Sequence, residues 1–132
     1  MPVEQNKATV LSYAEAFSRG DFDAVSALCT PDVRIQGVLG AGGLDVALPV
    51  WRELHHAFAL HLKVEDMVAE GDTVAVRFLE SGTSCNPFRG GPVTGKSYSV
   101  VAMEWFKMRE GKIAQRWGAR DSAAIFTQMG LK

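Results

Sequence analysis

The sequence predicts an α+β fold, and three observations carry that reading. Up to about residue 58, apolar residues recur at helical spacing. From residue 60 onward they alternate with polar ones at period two. The alternating stretches are broken by the short turns Glu70-Gly71-Asp72 and Arg109-Glu110-Gly111, which make neighbouring strands antiparallel. Helices gathered before such strands pack on one face of a sheet, whose other face must then be buried by curling or by dimerising.

The elements follow in order. Val10, Tyr13, Ala14 and Phe17 share one helical face, and that segment stops at Arg19-Gly20. Asp21 can cap a short second helix carrying Phe22, Val25 and Leu28, which Thr30-Pro31 ends. Residues 33–39, VRIQGVL, read as a short strand. The link GAGG leads to a third helix, expected to begin at Pro49, with Trp51, Leu54, His55 and Phe58 on its apolar face. Leu60, Leu62 and Val64 then alternate with His61, Lys63 and Glu65, and Val74, Val76 and Phe78 continue the pattern in a return strand. A polar loop covers about residues 82–95. Two strands follow, KSYSVVAMEWFKM and KIAQRWGAR, and a short helix with Ile125, Phe126 and Met129 closes the chain.

With 132 residues the chain reads as one domain, 1–132, long enough for a core without disulfides. Hydrophobic residues at 47% and charged ones at 22% argue against disorder. Fourteen basic and fifteen acidic residues leave a net charge of −1, so there is no electrostatic footprint for nucleic acid. No apolar run of about 18 residues is present, and the start MPVEQNKATVL lacks a basic-then-apolar signal pattern. A cytoplasmic protein that does not engage membranes is expected. Cys29 and Cys85 lie far apart without metal spacing and read as free thiols.

One motif is a decoy. GGPVTGKS at 90–97 fits the phosphate-loop pattern, but that chemistry needs a buried strand before it and a helix after it. A polar loop precedes this segment and the strand-like YSVVAMEWF follows.

Candidate chemistry concentrates near the C-terminus. Asp121 stands where the last strand hands over to the last helix. It can cap that helix, which would hold its carboxylate ionised, or serve as acid or base where an apolar cup raises its pKa. Glu104 interrupts an otherwise apolar strand face with Tyr98, Val100, Ala102 and Phe106; it must be used there or paired, with Arg77 or Arg116 as partner. Arg116 and Arg120 share a face of the last strand and can hold an enolate. His55 reads as a core or pocket-wall residue beside Trp51 and Phe58, while His56 and His61 lack a carboxylate for a metal site. Trp51, Trp105 and Trp117 are core residues or platforms for a flat ligand. Ser81, Ser84 and Cys85 have no histidine placed beside them, so covalent catalysis has no support.

The segments VEDMVAEGDTVAVRF at 64–78, GPVTGKSYSVVAMEWFKMREGKIAQRW at 91–117 and RDSAAIFTQMG at 120–130 resemble SnoaL-like proteins of the nuclear-transport-factor and ketosteroid-isomerase superfamily. The opening VLSYAEAFSRGDFDAVSALCTPDV is similar to that family's first helices. The resemblance implies a conical sheet wrapped around the helices, a deep apolar pocket, and homodimerisation through the outer sheet face, where Val101, Met103 and Trp105 fall. In SnoaL-like cyclases an acidic residue near the end of the last strand drives an intramolecular aldol closure, and Asp121 matches it. The chain departs from some members at Arg116, where they carry histidine, and at Gly118, where they carry an acid. The expected function is a cofactor-free, metal-free acid-base enzyme of polyketide cyclase or isomerase type acting on an apolar carbonyl compound. Asp121 and Glu104 would be catalytic, and Trp117, Arg116, Arg120, Trp51, His55, Trp105 and Phe58 would bind substrate. The alternatives are a non-catalytic binding module of the same fold and an epoxide hydrolase, which needs two carboxylates and an arginine around one water.

Overall fold

The computed structural model describes residues 2–131. Helices α1 (Val3–Ser18) and α2 (Phe22–Ala27) come first, followed by strand β1 (Cys29–Gly37) and the short β2 (Gly40–Gly42). Helix α3 (Leu44–Phe58) leads into the strands β3 (His61–Glu70), β4 (Thr73–Thr83), β5 (Ser97–Arg109) and β6 (Lys112–Arg120), and α4 (Ser122–Gln128) ends the chain. The six strands form one curved, unclosed sheet in the order β2-β1-β6-β5-β4-β3. Pairing is antiparallel except between β1 and β6, which run parallel.

Curvature has identifiable sources. The register slips between Val64 and Asp66 in β3, between Lys107 and Met108 in β5, and between Cys29 and Arg34 in β1. Each irregularity bends its strand and increases its twist. The sheet thereby wraps α1, whose Val10, Tyr13, Ala14 and Phe17 are buried together with Val74, Val76, Phe78, Ala102 and Phe106 from the strands. Burying that apolar surface is the main favourable term in folding.

The expected alternation is observed. Leu60, Leu62, Val74, Val76 and Phe78 are buried, and so are Tyr98, Ala102, Glu104 and Phe106. Two boundaries differ. β1 begins at Cys29 and absorbs Thr30-Pro31, because a proline at a strand's first residues forfeits no needed ladder bond. α3 begins at Leu44, five residues before Pro49. The Gly43 carbonyl accepts from the amides of both Val46 and Ala47, so the first turn is closed before the proline, and only one later bond is missing. The GGPVTGKS segment runs as a loop into β5, with no helix after it.

Among the described residues no helix is long and apolar enough to cross a membrane. Cys29 and Cys85 are both free.

Candidate functional site

The inner face of the sheet holds a cavity of about 90 Å³ that opens to solvent beside β2 and the start of α3. Its walls are apolar, from Phe17, Ile35, Trp51, Leu54, Phe58 and Phe126, with Val38, Leu39 and Val46 at the rim. Its polar lining consists mainly of four charged side chains and one phenol: Glu80, Glu104, Arg116, Arg120 and Tyr98.

Strand geometry gathers these groups. Gly118 on β6 and Val76 on β4 flank Glu104 on β5. Arg116 and Arg120 lie two residues to either side of Gly118, on the same inward face. A Cβ at Gly118 would come within 2.6 Å of the Arg116 guanidinium, so the missing side chain leaves the room that arginine occupies. Arg120 lies opposite Ala102, which lies opposite Phe78. The small alanine lets the guanidinium cross β5 and reach Glu80 on β4.

Glu104 is clamped from two sides. Arg116 Nε donates to its Oε1 at 3.0 Å, and Arg116 Nη2 lies 2.9 Å from its Oε2. Arg120 Nη2 donates to Oε2 at 2.8 Å, and the Tyr13 hydroxyl donates to Oε1 at 3.1 Å. Burial alone would raise the Glu104 pKa, but Arg116 and then Arg120 outweigh it and hold the group at about 2. Arg116 has a further bond from Nη1 to the Gln36 carbonyl at 3.3 Å, and its guanidinium lies 5.7 Å from the Trp51 ring.

Glu80 is held differently. The Tyr98 hydroxyl donates to its Oε2 at 2.7 Å. Its Oε1 lies 2.6 Å from Arg120 Nε, yet that N–H is not aimed at the oxygen. The charges touch, but Glu80 Oε1 and Arg120 Nε each lack an aligned hydrogen-bond partner among the described residues. Burial raises both phenols, Tyr13 and Tyr98, so each stays a proton donor. The cluster sets two carboxyl groups against two guanidiniums.

The expected site residues divide. Glu104, Arg116, Arg120, Trp51 and Phe58 line the cavity together. Asp121 does not. It is exposed, and its Oδ1 accepts from the Ala124 amide at 2.9 Å as the N-cap of α4. Asp21 caps α2 in the same way, accepting from Ala24 at 3.0 Å. The strand's alternation ends at Arg120, and a capping residue turns its side chain onto the helix amides instead of into the cone. Trp105 and Trp117 sit on the outer face, 51% and 38% exposed, because their parity is opposite to that of Glu104 and Arg116. His55 packs against Phe22, with Nε2 3.1 Å from the Ser18 carbonyl oxygen, outside the cavity wall. Glu65, not Glu104, pairs with Arg77.

Sequence reasoning missed Glu80. The signal was present: Val74, Val76, Phe78 and Glu80 follow one alternation, so a glutamate continues a buried face. That is the same argument that singled out Glu104.

A curved, unclosed sheet wrapped around helices and enclosing an apolar cavity is the ketosteroid-isomerase-like fold, which a structural neighbour from Catenulispora acidiphila shares. The family model for SnoaL-like polyketide cyclase matches residues 7–129, and the chain belongs to that family. Solved structures agree. AclR from Streptomyces galilaeus, a proposed hydroxylase, superposes with a TM-score of 0.88 at 23% identity, over 98% of each chain. IdmH from Streptomyces antibioticus, a proposed polyketide cyclase, gives 0.85 at 27% identity, over 96% of this chain and 99% of its own. A proposed SnoaL-like polyketide cyclase from Jannaschia sp. CCS1 gives 0.87 at 26% identity, over 100% of this chain and 96% of its own. No curated protein matches the sequence.

Proposed function

We propose that the protein is a cofactor-independent cyclase or isomerase that moves a proton next to a carbonyl of an apolar substrate, with Glu80 as the acid-base group. The observation that carries this reading is the Glu80–Arg120 contact in a buried, apolar-walled cavity, where Oε1 and Nε lie 2.6 Å apart without an aligned hydrogen bond and can exchange that contact for a ligand group. A buried polar atom without a partner is costly and marks a place for a ligand group. Glu104 is a poor base, since Arg116 and Arg120 hold its charged form.

In the proposed reaction the Glu80 carboxylate takes the α-proton, and the electron pair of the C–H bond becomes an enolate whose oxygen faces Arg120. The enolate carbon then bonds to a second carbonyl carbon of the same molecule, and Glu80 returns its proton to the new alkoxide. Returned to a different carbon of the enolate system, the proton gives an isomer instead. Neither route requires a metal or an organic cofactor. The enclosed space is small beside the roughly 300–1,000 Å³ of common ligand pockets. A reacting ring would fit within it, and the rest of a larger skeleton would lie along the rim at Val38, Leu39 and Val46.

The test is deuterium exchange at the α-carbon of 2-tetralone in D2O, followed by NMR. Wild-type protein is expected to accelerate exchange and Glu80→Gln to lose the acceleration. Wild-type rates in that variant would remove Glu80 from the role. A second reading, epoxide hydrolysis, is favoured by the Glu80–Arg120–Glu104 bridge, in which one arginine joins two carboxylates. Oxygen-labelled water appearing in a diol product would select it. Ligand binding without exchange or hydrolysis would leave the protein a binding module.

A homodimer through the outer sheet face belongs to the same proposal. Val68, Ala75, Trp105 and Trp117 form a row across four strands, with Met103 beside it. Exposed apolar patches of this kind mark contact surfaces. Sedimentation equilibrium is expected to return twice the chain mass and to fall towards one chain for Trp105→Glu.

A further inference from the structure

We propose that Tyr98 is a positioning residue for Glu80, fixing one carboxylate oxygen so that the other faces the cavity. The inference rests on the reading of Glu80 as the acid-base group. Tyr98 is 3% exposed, and its hydroxyl donates to Glu80 Oε2 at 2.7 Å, leaving Oε1 as the oxygen without an aligned partner.

The backbone is shaped for this contact. Tyr98 on β5 lies opposite Gly82 on β4. A Cβ at Gly82 would come within 2.7 Å of the Tyr98 ring and 2.7 Å of the Phe58 carbonyl oxygen. Glycine therefore leaves a notch in which the ring lies across β4, and the hydroxyl reaches back to the residue two positions earlier on the same face. The other tyrosine, Tyr13, comes from α1 and serves Glu104. Each carboxylate thus has its own phenol, and they differ in what remains: Glu104 has both oxygens hydrogen-bonded, while Glu80 Oε1 only touches Arg120 Nε without an aligned bond.

The charged and titratable groups around Glu80 are Tyr98 and Glu104 on β5, Arg116 and Arg120 on β6, and Tyr13 on α1. α3 and α4 add none to the cavity lining. Of these, Tyr98 alone donates an aligned hydrogen bond to Glu80. A tyrosine that only filled the small cluster with Ala57, Phe58, Ile125 and Met129 would be replaceable by phenylalanine without effect on the carboxylate.

The experiment follows the Glu80 carboxyl by NMR in protein labelled with 13C at the glutamate side-chain carboxyls, its signal identified by its loss in Glu80→Gln. Removing a donor to the charged form makes ionisation harder, so Tyr98→Phe is expected to move the titration midpoint of that signal upward by about one pH unit. Biosynthetic 3-fluorotyrosine, which acidifies the chain's two tyrosines without any substitution, is expected to move it downward; this arm stands even if Tyr98→Phe does not fold. A midpoint unchanged in both preparations overturns the positioning role. The exchange assay on Glu80→Gln fails or succeeds separately. A shifted midpoint with undiminished exchange in that variant would keep the contact and overturn Tyr98's part in catalysis.

Discussion

Strands β5 and β6 have two faces that invert the usual rule. The inner face buries Glu104 and Arg116 and largely covers Arg120 among aromatic and aliphatic neighbours, while the outer face exposes Met103, Trp105 and Trp117. Ordinary sheets place charge outward and indole inward. On the proposed function, neither face serves folding alone. Buried charges must be paired to survive, and here one such pair, Arg120 Nε with Glu80 Oε1, meets beside a cavity without an aligned hydrogen bond. The exposed tryptophans continue an apolar row across four strands, the surface proposed above for dimerisation.

Substitutions can break this comparison, and the largest effect belongs to the inner face. Glu104→Gln strands two guanidiniums with one remaining carboxylate. It is expected to destabilise by roughly 3–5 kcal/mol in urea unfolding. Acid makes the same point without mutation. Glu104 binds its proton more weakly in the folded chain than in the unfolded one, so its contribution is complete above the ordinary value of 4.5 and is lost as the pH falls through about 2. Thermal unfolding across that window should show melting temperatures falling as acid is added.

Gly118→Ala comes next. Its methyl group would push on the Arg116 guanidinium, and a loss of about 1–3 kcal/mol is expected from overpacking. Asp121→Ala should remove only a helix cap, about 1 kcal/mol, matched by Asp21→Ala, and should leave proton exchange at the wild-type rate. Abolished exchange in the Asp121 variant, with Glu80→Gln unaffected, would return the acid-base role to the strand end. On the outer face Trp105→Glu should change a chain's own stability least, within about 0.5 kcal/mol, while acting on association.

Most of the fold was legible because its signals are local. Period two in β3 to β6, and glycine at the turns, specify strands and pairing without knowledge of the rest. The parity argument even separated Glu104 from Trp105. What escaped depended on contacts between distant segments. Whether Asp121 points inward or caps a helix is decided by one turn of backbone after Arg120, and sequence offers both readings with the same residues. That Arg120 crosses Ala102 to bridge Glu80 and Glu104 requires the strand register, which alternation within a single strand does not supply. His55 and Trp51 share a helix face, yet only Trp51 meets the cavity, because the face is wider than the opening it covers.

The central claim is that a substrate carbonyl is received inside the cone, beside the Glu80–Arg120 contact. A crystal structure of the protein with 2-tetralone bound tests it most directly. The ketone oxygen is expected within hydrogen-bond distance of Arg120, with the adjacent carbon facing Glu80 Oε1. A ligand stacked on Trp105 and Trp117, or one whose oxygen addresses Asp121, would contradict it.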